Sequence, residues 1–121
     1  MKKGRKISGG RYIERRKKKL YEIKGQKRVI KLGKKEKISS KRIRGGNLKS
    51  FLLGANLINV LTKKGDVKRI EIKNVVETPS NRFLARQNII TKGTIVETEI
   101  GKVRITNRPT QEGVLNGVLI G

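Results

Sequence analysis

Apolar and polar residues alternate most clearly in the last third of the chain. In segment 94–100, Val96, Thr98 and Ile100 share one face, and the opposite face carries both glutamates. Segment 102–107 alternates in the same way, and Gly101 lies between the two segments. A period of two is typical of a strand with one buried face. The sequence therefore predicts a half-buried β-hairpin here.

Short aliphatic segments separated by glycine and asparagine continue this pattern through most of the chain. Residues 26–121 contain 30 Ile, Val or Leu, and many of these are β-branched residues that favour strands. Lys64-Gly65-Asp66 has the composition of a tight hairpin turn. The predicted strands lie near 27–32, 37–44, 48–53, 57–62, 67–72, 89–91, 94–100, 102–107 and 114–120.

Helical signals are few. Ser80 or Asn81 can cap a short helix over 82–86. In segment 14–22, helical spacing pairs Glu14 with Lys18 and Lys18 with Glu22. The segment has no apolar stripe, so it would form a helix only against a partner. Many short strands with glycine turns predict an all-β fold, either a small antiparallel barrel or a sandwich.

Positive charge is concentrated in the first part of the chain. The whole chain has 32 Lys and Arg against 9 Asp and Glu, a net charge of +23, and residues 1–50 hold 21 of the cations with only 3 acids. Residues 1–25 contain 11 cations and four aliphatic residues, too few to offset the entropy of ordering. We expect 1–25 to be a basic extension, disordered when free, and 26–121 to be the folded domain.

The composition excludes several kinds of chemistry. Without Cys or His the chain has no disulfide, no thiolate nucleophile and no imidazole base. Glu97 and Glu99 share a strand face and could hold a hard cation, but pairing with neighbouring cations is favoured. No nucleophile–base pair or Gly-x-Ser-x-Gly motif is present. We therefore expect no enzymatic activity, no cofactor and no bound metal, and the absence of an apolar run near 18 residues argues against a transmembrane helix.

Such an excess of positive charge predicts a polyanionic partner. Nucleic acid is the densest biological polyanion, and anionic membranes are the second candidate. Segment 11–23 lacks the apolar face that a membrane-surface helix needs. Only four aromatic residues are present, so contacts to the backbone and shape of folded RNA are favoured over base stacking.

Three motifs are candidates for RNA contact. The run Arg15–Lys19, preceded by Arg5, Lys6 and Arg11, suits phosphate contact, although a soluble linker or a nuclear-targeting signal would look similar. Gly9 and Gly10 permit a close approach to sugar–phosphate but also suit a flexible spacer.

The third motif is Lys41-Arg42-Ile43-Arg44-Gly45-Gly46-Asn47-Leu48-Lys49. On a strand, Arg42 and Arg44 would project from one face, and the two glycines then allow a sharp turn or a close approach of RNA. Asn47 can bind a base edge or steady the turn. A hairpin turn with solvent-exposed arginines is the alternative.

Gly4-Arg5-Lys6-Ile7-Ser8-Gly9-Gly10-Arg11-Tyr12 and Arg42-Ile43-Arg44-Gly45-Gly46-Asn47-Leu48-Lys49 together resemble a known family. This family is the eighth small-subunit ribosomal protein of archaea and eukaryotes, the "e" type, and the similarity to its archaeal members extends over essentially the whole chain. The resemblance implies an antiparallel β-barrel of about six strands and an N-terminal extension that reaches into ribosomal RNA.

The resemblance also implies that the protein is a structural constituent of the small ribosomal subunit, located in the ribosome in the cytoplasm. The implied partners are small-subunit ribosomal RNA and neighbouring ribosomal proteins. No membrane or small-molecule substrate is expected. A general RNA- or DNA-binding architectural protein outside the ribosome is the alternative. The predicted RNA-binding residues are Arg5, Lys6, Gly9, Gly10, Arg11, Arg15, Arg16, Lys17, Lys18, Lys19, Arg42, Arg44, Gly45, Gly46, Asn47 and Lys49.

Overall fold

The computed structural model describes residues 4–12, 16–25 and 27–120, and most of their regular structure is β-strand. One short helix, α1 (Arg82–Arg86), is present in this part of the chain. No helix there is long and apolar enough to cross a membrane. The strands are β1 (Lys31–Leu32), β2 (Lys37–Arg42), β3 (Leu48–Ala55), β4 (Leu57–Leu61), β5 (Val67–Glu77), β6 (Ile95–Thr98), β7 (Gly101–Ile105) and β8 (Asn116–Leu119).

The strands form two sheets, which confirms the all-β prediction. The first has three strands in the order β1-β3-β2, and the second is a closed barrel in the order β4-β5-β6-β7-β8. The barrel thus has five strands rather than about six. It is also not wholly antiparallel, because β8 runs parallel to β4, with Leu61 opposite Val118. In a ring whose successive strands alternate in direction, an odd number of strands forces one parallel pair.

Several strand boundaries differ from the prediction where regular alternation fails. β5 continues to Glu77 because irregularities between Ile72 and Asn74, and again beyond Val75, shift the register without ending the strand. The predicted strand at 89–91 is reduced to a single bridge between Ile89 and Lys31. The predicted strand 27–32 shortens to β1.

The short helix begins as the sequence predicted. The side chain of Asn81 accepts a hydrogen bond from the backbone N–H of Phe83 at 3.0 Å, so Asn81 is the N-cap of α1. In the basic segment, the only helical turn among residues 16–25 is a single 3₁₀ turn at Leu20–Glu22. The predicted pairing of Glu14 lies outside the described residues.

One hydrophobic core joins the two sheets. Leu52 and Ala55 of β3 pack in the same buried cluster as the inward-facing residues of the barrel. Val96 and Val103, opposite each other in the predicted hairpin, are both fully buried. The cluster consists of Ile30, Leu52, Ala55, Ile58, Val60, Ile72, Val75, Ile90, Val96, Val103, Ile105 and Leu115.

The narrow barrel requires a glycine at position 117. A Cβ placed on Gly117 would lie 2.5 Å from Cγ1 of Val103 and 2.9 Å from Cδ1 of Ile58, both of which are fixed in the core. The interior of a small barrel has room only for side chains that fit together closely. Gly117 therefore lets β8 close the ring.

The packed structure begins with a contact between Arg28 and β3. The Arg28 guanidinium lies 3.6 Å from the ring centre of Phe51, which is almost completely buried. Two residues later, the carbonyl of fully buried Ile30 accepts a hydrogen bond from Ile90. These contacts place the start of the packed structure near residue 28.

Candidate nucleic-acid interface

The β2–β3 hairpin carries a concentration of unopposed positive charge. Residues 37–55 contain five cations and no acid, and residues 41–50 are all exposed. The hairpin between β4 and β5 makes a useful contrast. Residues 57–77 also contain five cations, but they carry three acids as well. Only the first hairpin thus lacks internal charge compensation.

Two glycines give the tip of the β2–β3 hairpin its shape. Gly45 and Gly46 have φ angles of 82° and 84°, which residues with a Cβ rarely adopt. The N–H of Ile43 donates to the carbonyl of Asn47 at 2.8 Å, so Asn47 supports the turn through its backbone. β2 ends at Arg42, and Arg44 begins the turn. The expectation that both arginines share a strand face is therefore wrong.

The turn nevertheless keeps cations close to the tip. The Nη2 atom of Arg42 lies 3.6 Å from the position that a Cβ would take on Gly46, so its guanidinium lies against the glycine turn. Arg44 is exposed within the turn itself. An anion at this tip would meet two guanidinium groups and a backbone without side chains, which permits close approach.

Behind the tip, two lysines lie directly opposite each other. Lys41 of β2 pairs with Lys49 of β3 in the antiparallel register. Like charges at directly opposed positions, where Cβ atoms are about 5 Å apart, destabilise a sheet. The ammonium of Lys49 donates to the side-chain carbonyl of Gln111. The pair thus concentrates charge, and neither lysine forms an ion pair with a described carboxylate.

The N-terminal motif forms a second, smaller loop of the same kind. Arg5 and Arg11 form an antiparallel bridge, so two cations again face each other across a turn. The N–H of Lys6 donates to the carbonyl of Gly10 at 2.8 Å, and Gly9 takes a φ of 82°. Ser8-Gly9-Gly10 is therefore a defined turn in this structure rather than an extended spacer.

Glu22 partly neutralises the cationic run that follows. Both of its carboxylate oxygens accept hydrogen bonds from Arg16, and one also accepts from the backbone N–H of Lys19 at 2.9 Å. The predicted partner of Glu22 by helical spacing was Lys18, which is exposed. The ion pair holds Arg16 on the protein, while the other cations of residues 17–19 point to solvent.

The predicted RNA-binding residues thus fall into three groups, and no described residue among them is buried. Arg15 lies outside the described residues. The first group is the glycine loop at residues 5–11, the second is the run at 16–19, and the third is the β2–β3 tip. The fold brings together the residues within each group.

The chain is similar to one known protein family and to individual proteins from several organisms. The family described as Ribosomal protein S8e matches residues 1–120. The chain belongs to the ribosomal protein S8e family. The "Small ribosomal subunit protein eS8" of Staphylothermus marinus is 48% identical over 117 residues, covering 96% of this chain and 91% of that protein. The proteins of the same name from Nanoarchaeum equitans and Sulfolobus acidocaldarius are 45% and 38% identical, with the same coverage.

Membership in the S8e family confirms the resemblance drawn from the two glycine-containing motifs. It also confirms that the protein is a structural component and not an enzyme, since this is a family of ribosomal proteins. In the described ranges 4–12, 16–25 and 27–120, no group of three or more acidic residues is placed to hold a metal ion.

Lys41 is a candidate contact in this S8e chain that the predicted set did not include. Its importance follows from its register, since it lies opposite Lys49, which the set did include. A signal for this was present in the sequence. Both lysines are four residues from Gly45, and such symmetry about a hairpin turn places residues opposite each other.

Proposed function

We propose that the protein is a structural constituent of the small ribosomal subunit. It binds ribosomal RNA through the basic extension, residues 1–25, and through the tip of the β2–β3 hairpin. The observation that carries this proposal is the pairing of like charges across two glycine turns, Arg5 with Arg11 and Lys41 with Lys49. Such pairs weaken the free protein and become favourable when an anion lies between them.

RNA phosphate suits these sites. Each glycine turn presents backbone without side chains beside cationic side chains, a combination that lets a phosphate approach closely. Both loops are exposed, and neither buries apolar surface of its own. These two loops therefore contribute more to contact with a partner than to the stability of the β domain.

The extension depends on its partner for order. All described residues in 4–25 are exposed except the half-buried Glu22, and even Ile7 and Leu20 are open to solvent. The hydrogen bonds that described residues of 4–25 make remain within that segment. We infer a division into an RNA-binding extension, residues 1–25, and a folded β domain, residues 26–121.

In this role the β domain is a rigid support that positions both cationic elements. Contacts to phosphate fix position but carry little sequence information, so RNA shape selects the site, together with Arg42, Arg44 and Asn47. The proposed partners are small-subunit ribosomal RNA and neighbouring ribosomal proteins, and the site of action is the ribosome in the cytoplasm. The names of the eS8 relatives support this assignment.

A salt series on the full chain with a small-subunit ribosomal RNA fragment tests the proposal. If about eight phosphates are engaged, the logarithm of the binding constant falls against the logarithm of salt concentration with a slope of about −6. A slope shallower than about −2 would falsify the phosphate mechanism. Equal affinity for duplex DNA in competition would instead indicate a general architectural protein.

A further inference from the structure

The outside of the barrel carries an aliphatic surface far along the chain from the cationic motifs. We define the outer patch as Leu61, Val67, Val118 and Ile120. Leu61, Val118 and Ile120 are 41–42% exposed and Val67 is 65% exposed, although all four are large aliphatic residues. Single exposed aliphatic residues are ordinary, but adjacent ones commonly mark an interaction surface.

Strand register shows that the outer patch is continuous. Leu61 of β4 lies opposite Val67 of β5 on one side and opposite Val118 of β8 on the other. Ile120 follows Val118 by two positions, and its N–H donates to the carbonyl of Lys102 on β7. The patch therefore extends across neighbouring strands at the parallel junction between β4 and β8.

A groove of about 680 Å³ continues the outer patch past β7. Val118 and Ile120 form part of its wall, together with Pro79. Among the described residues, its charged lining consists of Lys92 and Arg104, without a carboxylate. Arg104 lies directly opposite Val118 in the β7–β8 register, which places a guanidinium beside the aliphatic surface.

We propose that the outer patch and its groove bind a segment of a neighbouring protein that combines aliphatic side chains with carboxylates. The proposal rests on the assignment to the small subunit, because the partner is a neighbour there. The centre of a protein interface is more apolar than the rest of the surface, and arginine is enriched in interfaces. Lys92 and Arg104 supply the charge complementarity that selects an acidic segment.

RNA fits this surface less well. The outer faces of RNA helices present phosphate and ribose, and packing the four aliphatic side chains against them would desolvate polar groups without offering hydrogen bonds in return. The cationic loops described above show the opposite arrangement, with paired positive charges and glycine backbone. The chain thus carries two surfaces of different chemistry.

Site-specific photocrosslinking in assembled small subunits tests the inference. A benzophenone amino acid replaces Val118 in one variant and Val76 of β5 in the matched control, since the two valines are 42% and 44% exposed. After irradiation and ribonuclease treatment, adducts are identified by mass spectrometry. The expected result is a protein adduct from position 118, on a peptide with aliphatic and acidic residues, and little protein adduct from position 76.

Several outcomes would overturn the inference. These are an RNA adduct at position 118, equal protein adducts at both positions, or none at position 118. Incorporation into purified small subunits is measured separately. A chain that is absent from them overturns both the proposed function and this inference, whereas an incorporated chain that crosslinks only to RNA overturns this inference alone.

Charge reversal provides a second test. With the photoreactive residue kept at position 118, Arg104→Glu is expected to lower the protein adduct about tenfold, because an attraction to carboxylates becomes a repulsion. Lys73→Glu on β5 is the control and is expected to leave the adduct unchanged. An unchanged adduct with Arg104→Glu would show that the partner is not acidic.

Discussion

The basic extension and the β domain differ in the interactions that hold their structure. In the β domain, residues from both sheets are buried in one core, and Arg28, Phe51 and Ile30 secure its first segment. In the extension, the described residues keep their aliphatic and aromatic side chains exposed and make only local hydrogen bonds. The β domain is stabilised by the side chains that it buries, whereas the extension exposes side chains that we propose a partner covers.

The density of charge also differs, and the extension carries more net positive charge per residue than the β domain. The extension has 11 cations and two acids in 25 residues, while the β domain, residues 26–121, has 21 cations and seven acids in 96 residues. Self-repulsion at the density of the extension disfavours compaction. Stability and RNA affinity should therefore respond to mutations in different parts of the chain.

Deleting residues 1–25 should give the largest effect. RNA affinity is expected to fall more than about 100-fold near 0.15 M salt, because most phosphate contacts are lost. The thermal midpoint of the truncated domain, followed by circular dichroism, should stay close to that of the full chain. An unfolded truncation product would show that the extension belongs to the core.

Gly117→Ala should affect only the β domain. Overpacking against Val103 and Ile58 is expected to lower the free energy of unfolding by about 1–3 kcal/mol. The measurement is thermal unfolding, with Gly33→Ala as the control because only a backbone oxygen at 3.8 Å lies near its Cβ position. At low temperature, where the variant is folded, RNA affinity should be unchanged. Equal stability of the two variants would contradict the close packing described at β8.

Replacing Lys41 and Lys49 together by alanine should separate binding from stability at a single hairpin. RNA affinity is expected to fall about tenfold, with a salt slope shallower by about 1 to 2, because two phosphate contacts are removed. The thermal midpoint should be unchanged or higher, since a like-charge pair is gone.

The matched control is the double change Lys63→Ala and Lys64→Ala at the β4–β5 turn, where Asp66 is adjacent. Its effect on RNA affinity in the same filter-binding assay should be clearly smaller. Equal losses from both pairs would mean that total charge, rather than the paired geometry of the β2–β3 hairpin, determines affinity.

Glu22→Gln should produce the smallest effect, in the opposite direction. It removes the carboxylate that holds Arg16, while its amide oxygen can still accept from the N–H of Lys19. Since exposed ion pairs contribute about 0–1 kcal/mol, RNA affinity is expected to rise about two- to fivefold. A fall in affinity in the same assay would indicate that RNA needs the local turn at 20–22 more than a free Arg16.

The sequence predicted elements of the fold wherever local pattern and turn chemistry agreed. The hairpin of 94–100 with 102–107, the turn at Gly65 and the cap at Asn81 all follow from residues close in sequence. The separation into two sheets and the parallel pairing of β8 with β4 depend on how distant strands meet. Alternation within a strand carries no information on that.

For the candidate site, the sequence indicated the motifs but not their geometry. The end of β2 at Arg42 places Arg44 in a turn, because the chain must reverse over Gly45 and Gly46. The ion pair of Arg16 with Glu22 spans six residues and is not a helical spacing. The outer patch could not be predicted, since Leu61 and Val118 become neighbours only through barrel closure.

The parallel junction of the barrel also sets where the polypeptide enters and leaves it. Because β3 leads directly into the start of β4, and β8 runs alongside in the same direction, the chain departs after Leu119 at the opposite rim from its entry. A fluorophore or fusion attached beyond Ile120 would therefore lie close to the outer patch. The tip of the β2–β3 hairpin would stay accessible. Such a label could therefore report on binding at the outer patch without disturbing RNA binding at the hairpin.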